Sequence, residues 1–303
     1  MSRYQSNNLL GIGLMLLAML LFEVMDAVAK LLVSADMSAL QVIAVYSWFI
    51  TVMIPSILLL RGELGERVTR KPWHHLLRGM VGFVAPLSFF SALQSLPLAD
   101  ATVVFFSGAF ILTAASALLL GERVGVHRWS AVVIGLGGVV IAVNPGGGGP
   151  LPAYLLVLCA ATVYALIFIT GRQLSRRDSV ISLAFSLHLG MGIVASALLP
   201  RFWVPLDALV IVQLLLMALI ALVAHYVFVA AFARAEVSVL APFEYTALVW
   251  ATIIGYLVWR DIPPYEVWLG AAIIIGCGLY VIHRESLQRK SPALAPEHCD
   301  PLP

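Results

Sequence analysis

Apolar runs long enough to cross a membrane dominate the chain from residue 9 to residue 283. At about 1.5 Å per residue, a helix of about 20 residues crosses the hydrocarbon core of a bilayer, which is about 30 Å thick. The pattern predicts ten such helices, over residues 9–33, 40–60, 76–96, 98–120, 129–143, 151–170, 180–199, 209–233, 238–259 and 265–283. The connections are short and leave no room for a folded soluble domain between them.

Polar positions interrupt the apolar pattern in the first predicted helix. Glu23, Asp26 and Lys30 are spaced three and four residues apart, so they share one helical face. An acid at mid-membrane costs about 2.5 to 3.5 kcal/mol on insertion scales, and it usually faces a partner or a water-filled cavity. This face is therefore expected to point at something polar inside the protein.

Composition agrees with the membrane assignment and excludes several classes of function. Hydrophobic residues make up 61% of the chain and charged residues 11%, against about 25% charged in soluble domains. The basic residues lie in loops, so the net charge of +2 does not indicate nucleic acid. Three cysteines without CxxC spacing indicate neither a disulfide framework nor a metal site. We expect no cofactor and no metal.

The basic loop residues predict the orientation. With the N-terminus inside, all but three of the 18 lysines and arginines fall on the cytoplasmic side, the exceptions being Lys30, Arg201 and Arg260. The positive-inside rule then places both termini in the cytoplasm, which an even number of helices also requires. The expected product is a multi-pass membrane protein.

A helix-hostile segment, residues 144–150, divides the chain into two similar halves. An offset of 139 residues places Glu122 on Asp261 and Trp129 on Trp268. Each half has five helices, so the second inserts upside down, an arrangement typical of transporters with a mid-membrane site. The alternative is a duplicated bundle with a purely structural role. The predicted division is 9–143 (first repeat), 144–150 (linker), 151–283 (inverted repeat) and 284–303 (cytoplasmic tail).

This pattern resembles the drug/metabolite transporter superfamily, specifically its EamA-type ten-helix members. The resemblance is carried by the acids after helices 4 and 9, the tryptophans that follow them, and the glycine-rich helices 5 and 10: Glu122, Asp261, Trp129, Trp268, Gly135, Gly137, Gly138, Gly270, Gly276 and Gly278. It implies an all-α fold of two inverted repeats around a central cavity and a small-molecule substrate. It also implies a place in the bacterial inner membrane and the export of amino acids, as in bacterial members that look similar.

Glu23 and Asp26 are the first candidates for the site. One of them is expected to exchange a proton or to bind a substrate ammonium group. The alternative pairs Asp26 with Lys30 one turn later, as an ion pair that only lowers the insertion cost. An offset of 142 places Lys30 on Arg172, which favours a Lys30 that extends to the membrane interface, as Arg172 would at the opposite face.

The ninth helix supplies a further acid in the segment Pro242-Phe243-Glu244-Tyr245. Pro242 is expected to kink the helix where its backbone lines a cavity, so that Glu244 and Tyr245 face a polar interior. The alternative is a glutamate that extends to the nearby membrane interface. Other candidates for binding substrate or protons are Trp48, Ser107, Tyr164, His188 and His225. Each has an ordinary structural alternative, namely helix packing or a histidine bonded to a carbonyl.

Enzyme motifs are missing from the sequence. It has no His-Glu-x-x-His, no Gly-x-Ser-x-Gly and no phosphate-binding loop, so we expect no enzyme. An intramembrane enzyme stays as an alternative, as does a carrier or importer of a vitamin, nucleoside or drug-like solute. The glycines of helices 5 and 10 allow close helix packing, either between the halves or in a homodimer. The expected partners are a small molecule and the lipid bilayer.

Overall fold

A computed structural model describes residues 8–60, 72–121, 124–147, 149–174 and 180–290. Within these ranges the chain is helical and has ten segments that are long and apolar enough to cross a membrane. The all-α fold with ten spans is therefore confirmed. Glu122 lies outside the described residues, as do the side chain of Arg172 and the end of the tail beyond residue 290.

Ten spans are built from thirteen α-helices, because three spans consist of two helices each. The helices are α1 (Asn8–Ser34), α2 (Ala39–Leu60), α3 (Pro72–Gly82), α4 (Val84–Ala92), α5 (Leu98–Phe105), α6 (Ser107–Leu120), α7 (Val126–Val143), α8 (Leu151–Leu174), α9 (Val180–Leu198), α10 (Ala208–Phe232), α11 (Val237–Glu244), α12 (Thr246–Trp259) and α13 (Tyr265–Lys290). The pairs α3–α4, α5–α6 and α11–α12 each form one span.

The breaks within spans were only partly predictable. As expected, Pro97 separates α4 from α5, since its extended backbone (φ −54°, ψ 147°) starts a new helix. Pro242 lies inside α11, and the break in that span falls three residues later, at Tyr245. The matching break in the first half falls at Phe106, where no proline is near, so proline is not its general cause.

The two halves repeat the same backbone geometry at the predicted offset of 139. Helices α5 and α6 match α11 and α12 at both of their ends. Gly121 and Arg260 both end their helices in the left-handed region, with φ 66° and 60°. Phe106 and Tyr245, the two break residues, touch each other with ring centroids 5.2 Å apart. Equivalent residues that touch lie near the axis relating the halves.

Helix packing between the halves has the symmetry expected of an inverted repeat. Helix α1 packs against α10 and α12, while its counterpart α8 packs against α4 and α6. The counterparts α2 and α9 pack on each other, as do α7 and α13. The four central spans, which contain α1, α5–α6, α8 and α11–α12, therefore face each other across the boundary between halves.

The joint between α7 and α13 depends on two glycines. A Cβ on Gly270 would lie 2.5 Å from the carbonyl oxygen of Gly138 and 2.6 Å from the Cβ of Ala142. Gly137 and Gly276 have open space at the same position. The close-packing glycines thus join the halves, and a homodimer contact through these helices stays a prediction.

Gly270→Ala is expected to destabilise the protein, because the added methyl group meets backbone rather than a flexible side chain. Overpacking of this kind costs about 1 to 3 kcal/mol. The matched control is Gly276→Ala on the same helix, where a higher helix propensity without a clash should leave stability equal or slightly raised. Thermal unfolding in detergent measures both, and equal midpoints for the two variants would contradict the assignment of the joint.

Candidate functional site

Glu23 lies in the middle of α1, with 4% of its surface exposed. Its two carboxyl oxygens are each 3.4 Å from the hydroxyl of Thr102 on α5. That hydroxyl has one proton and is closer to the carbonyl oxygen of Leu98, at 3.0 Å, to which it donates. The hydroxyl proton is therefore shared between Leu98 and Glu23, and a protonated Glu23 can instead donate to the Thr102 oxygen.

Asp26 begins a line of polar side chains that crosses from the first half to the second. It lies within electrostatic range of Glu23 and of Tyr46 on α2. The Tyr46 ring contacts His188 on α9, with centroids 5.4 Å apart at 84°. His188 is buried and lies within electrostatic range of His225 on α10. The structure thus brings two predicted acids and both predicted histidines into one region.

His225 has the structural bond that the alternative interpretation expected. Its Nδ1 lies 2.7 Å from the carbonyl oxygen of Ala221 and donates to it, which leaves Nε2 as an acceptor. The ring contacts Phe22 edge-on at 5.0 Å, and Phe22 precedes Glu23. His225 is nevertheless exposed in the middle of its helix, so part of its side chain is accessible.

Glu244 and Tyr164 form the second part of the site. Glu244 is the last residue of α11 and lies within electrostatic range of Tyr164 on α8. Tyr164 is 51% exposed in the middle of its span, and its ring contacts Phe105 at 5.4 Å. Phe105 follows Thr102 by three residues on α5, so one face of α5 connects the partner of Glu23 to Tyr164.

Tyr245 lies beside this region at the break between α11 and α12. Its ring contacts Phe106, and it approaches Gly278 of α13 so closely that any side chain there would overlap the tyrosine hydroxyl group. Ser107 follows Phe106, is fully buried, and its hydroxyl has no hydrogen-bond partner among the described residues. Both candidates therefore lie where the two broken spans meet.

Trp48 lies apart from the other candidates. Its Nε1 donates to the hydroxyl of Ser196 on α9 at 2.9 Å, and its ring packs over Gly192. The side chain is 40% exposed. These contacts connect α2 to α9 and give Trp48 a packing role outside the group of acids.

Lys30 corrects two of the sequence-based interpretations. Its Nζ binds Asp261 Oδ2 at 3.1 Å, so it does not form the ion pair with Asp26. Only 6% of Lys30 is exposed, and its Nζ lies 4.5 Å from the centre of the Trp259 ring, so it does not extend to the membrane interface. The partner of Lys30 is therefore Asp261, an acid in the second half of the chain.

Several polar side chains at these contacts were not predicted as functional. Thr102 and Asp100, both on α5, were not among the candidates chosen from the sequence. Arg78, which was assigned to a loop, lies within a span and donates to the carbonyl oxygens of Ile167 and Leu183 on the other half. All three are polar residues inside a predicted membrane-spanning segment, and this was the feature of the sequence that could have identified them.

The arrangement suits binding of a small cation. Three acids, Glu23, Asp26 and Glu244, lie within membrane-spanning segments, and among the described residues no lysine or arginine forms an ion pair with them. Within the same residues, no group of histidine, cysteine or acidic side chains has the geometry of a metal site. Aromatic rings, namely Phe22, Phe105 and Tyr164, lie beside the acids.

Comparison with known proteins extends over nearly the whole chain. An S-adenosylmethionine uptake transporter of Rickettsia conorii is 25% identical over 277 residues, which is 91% of this chain and 94% of that protein. A riboflavin transporter of Rhizobium johnstonii is 28% identical over 230 residues, covering 74% and 75%. The pseudopaline exporter CntI of Pseudomonas aeruginosa is 28% identical over 272 residues, covering 88% and 93%.

A solved crystal structure shares the fold. It has a TM-score of 0.60 and 19% sequence identity, and the match covers 91% of this chain and 99% of that one. The EamA-like transporter family matches twice, over residues 9–144 and 151–283. These matches and the ten apolar spans make the chain a multi-pass inner-membrane protein that transports a small molecule. The chain belongs to the EamA-like transporter family.

Proposed function

We propose that the chain exports amino acids or closely related metabolites, including bulky or aromatic ones, by alternating access. The observation that carries this proposal is the set of acids within membrane-spanning segments near aromatic rings, with no basic side chain of the described residues paired to them. A substrate ammonium group balances the charge, and an apolar side chain packs on the rings. The same acids are our proposed site for proton coupling.

Import of a larger cationic metabolite is the second candidate. It is supported by relatives named for S-adenosylmethionine uptake, since that compound carries an amino-acid ammonium group and an aromatic base. Riboflavin, named for another relative, lacks such an ammonium group and fits the three acids less well. We propose no catalytic activity for the chain. The division into repeats, linker and tail, and the cytoplasmic placement of both termini, remain proposals too.

Flux into proteoliposomes tests the substrate class. We expect aromatic and other bulky amino acids or S-adenosylmethionine to be transported, and the same amino acid with an acetylated α-amine to compete at least about tenfold more weakly. The loss follows from removing the charge that the three acids bind. Riboflavin serves as the uncharged comparison.

Two outcomes contradict this proposal. Equal competition by the acetylated and free amino acids would show that the acids do not bind an ammonium group. Turnover of a peptide or lipid without flux of any solute would indicate an intramembrane enzyme and not a transporter. A proton gradient imposed in each direction, with the direction of substrate flux as the readout, distinguishes export from import.

A further inference from the structure

The four central spans pack unequally at their two ends. At one end α1 and α12 finish and α5 and α8 begin, and we call this the closed end. There α5 packs against α12. Among the described residues, their counterparts at the opposite end, α11 and α6, show no comparable packing. Glu122 and the side chain of Arg172, the counterparts of Asp261 and Lys30, lie outside those residues, so the closure described here is that of the first end.

A cluster of polar side chains holds the closed end together. Lys30 of α1 binds Asp261, which follows α12, with 3.1 Å between Nζ and Oδ2. Tyr154 of α8 donates from its hydroxyl to Asp100 Oδ2 of α5 at 3.2 Å. Asp100 lies within electrostatic range of both Lys30 and Asp261, so the two contacts form one group, which we call the Lys30 cluster.

Each bond of the Lys30 cluster joins the two halves. Lys30 and Asp100 belong to the first half, and Tyr154 and Asp261 to the second. Rocking of the halves that opens this end must separate both bonds. Other bonds at this end, such as Asn144 Nδ2 donating to Glu266 Oε1 at 3.2 Å, connect the outer helices α7 and α13, which pack along each other.

Charge in the Lys30 cluster is unbalanced. Two carboxyl groups, Asp100 and Asp261, face one ammonium group, Lys30. Asp100 is 3% exposed, and its Oδ1 has no hydrogen-bond partner among the described residues. The lysine attracts across the boundary between halves, whereas the second carboxylate repels Asp261 across the same boundary. The two acids thus have opposite effects on closure.

We propose that the Lys30 cluster is the gate of this end, with the Lys30–Asp261 pair closing it and the charge of Asp100 limiting how tightly it closes. The groups that face Asp100 are Lys30 on α1, Asp261 after α12 and Tyr154 on α8. Glu266 on α13 is bound to Asn144 instead. Substrate reaches the closed end only when both bonds of the gate have broken.

A single cysteine beneath the gate reports its opening. Val103 is fully buried and lies one turn below Asp100 on the same face of α5, so Val103→Cys is shielded while the gate is closed. The background replaces Cys159, Cys277 and Cys299 by serine. A membrane-impermeant maleimide, applied to right-side-out and to inverted vesicles, measures the labelling rate from each side.

Opposite effects are expected from the two charges. Lys30→Gln should raise labelling from the gate side about fivefold, the change that a partly buried ion pair supports. Asp100→Asn removes the excess charge, keeps an acceptor for Tyr154, and should lower the rate about twofold. The double variant should fall between the two. The matched control is Asn144→Ala, which breaks a bond between the outer helices and should leave the rate unchanged.

Equal or same-direction changes for Lys30→Gln and Asp100→Asn would overturn the gate, and so would an equal rise for Asn144→Ala. If Lys30→Gln fails to reach the membrane, the direction of Asp100→Asn decides alone. Because labelling needs no substrate, this result stands apart from the identity of the transported compound.

Discussion

Glu23→Gln is expected to abolish proton-driven accumulation of substrate while leaving exchange of substrate across the membrane intact. Glu23 is almost fully buried, and its partner Thr102 already donates to the carbonyl oxygen of Leu98. Glutamine has the size of the protonated acid and can donate to Thr102 in its place. The variant should therefore fold and bind substrate, yet it cannot release a proton when the cavity opens to water.

Reconstituted vesicles with and without an imposed pH gradient measure this effect. We expect at least about a tenfold loss of gradient-driven accumulation, a size typical of removing a positioned proton-transfer group. Exchange of labelled for unlabelled substrate should keep its rate and lose its pH dependence. Glu266→Gln, which alters a carboxyl group outside the central spans, is the matched control and should behave as wild type. Accumulation that persists in Glu23→Gln would give Glu23 a structural role.

Most of the fold was predictable because its causes are local. Apolar length indicates the spans, Pro97 ends one helix and starts the next, and the offset of 139 relates both halves. The breaks at Phe106 and Tyr245 were not predictable in this way. They occur at equivalent positions, each at an aromatic residue followed by a serine or threonine, and the two aromatic rings touch where the halves meet.

The site was predictable in residue type but not in pairing. Glu23, Asp26, Glu244 and the two histidines stand out as polar residues in apolar windows. Which groups they face depends on contacts across more than 70 residues, such as Glu23 with Thr102 or Lys30 with Asp261. The spacing on one helix suggested Asp26 as the ion-pair partner of Lys30, whereas the structure pairs Lys30 with Asp261 of the other half.

The two central glutamates differ in ways that suit different tasks. Glu23 is buried against Thr102, where a proton fits and a bulky cation does not. Glu244 is only partly buried and lies near Tyr164, half of whose surface is exposed. Glu244 and the exposed tyrosine ring are thus more accessible to a bulky substrate than Glu23 is. We therefore propose that Glu23 exchanges the proton and that Glu244 is the acid that binds the substrate ammonium group most directly.

Glu244→Gln is accordingly expected to weaken substrate binding and to leave proton coupling in place. A charged hydrogen bond contributes about 1.5 to 3 kcal/mol, so the apparent affinity for an ammonium-bearing substrate should fall about 10-fold to 100-fold. Concentration dependence of exchange measures the affinity, and the response of flux to pH should resemble that of wild type.

The acetylated substrate provides the internal control, because it has no charge for Glu244 to bind. Its weak competition should be the same in the variant as in wild type. An equal loss of affinity for both compounds would mean that Glu244 shapes the cavity and does not bind the ammonium group. A lost pH response would indicate that Glu244, and not Glu23, exchanges the proton.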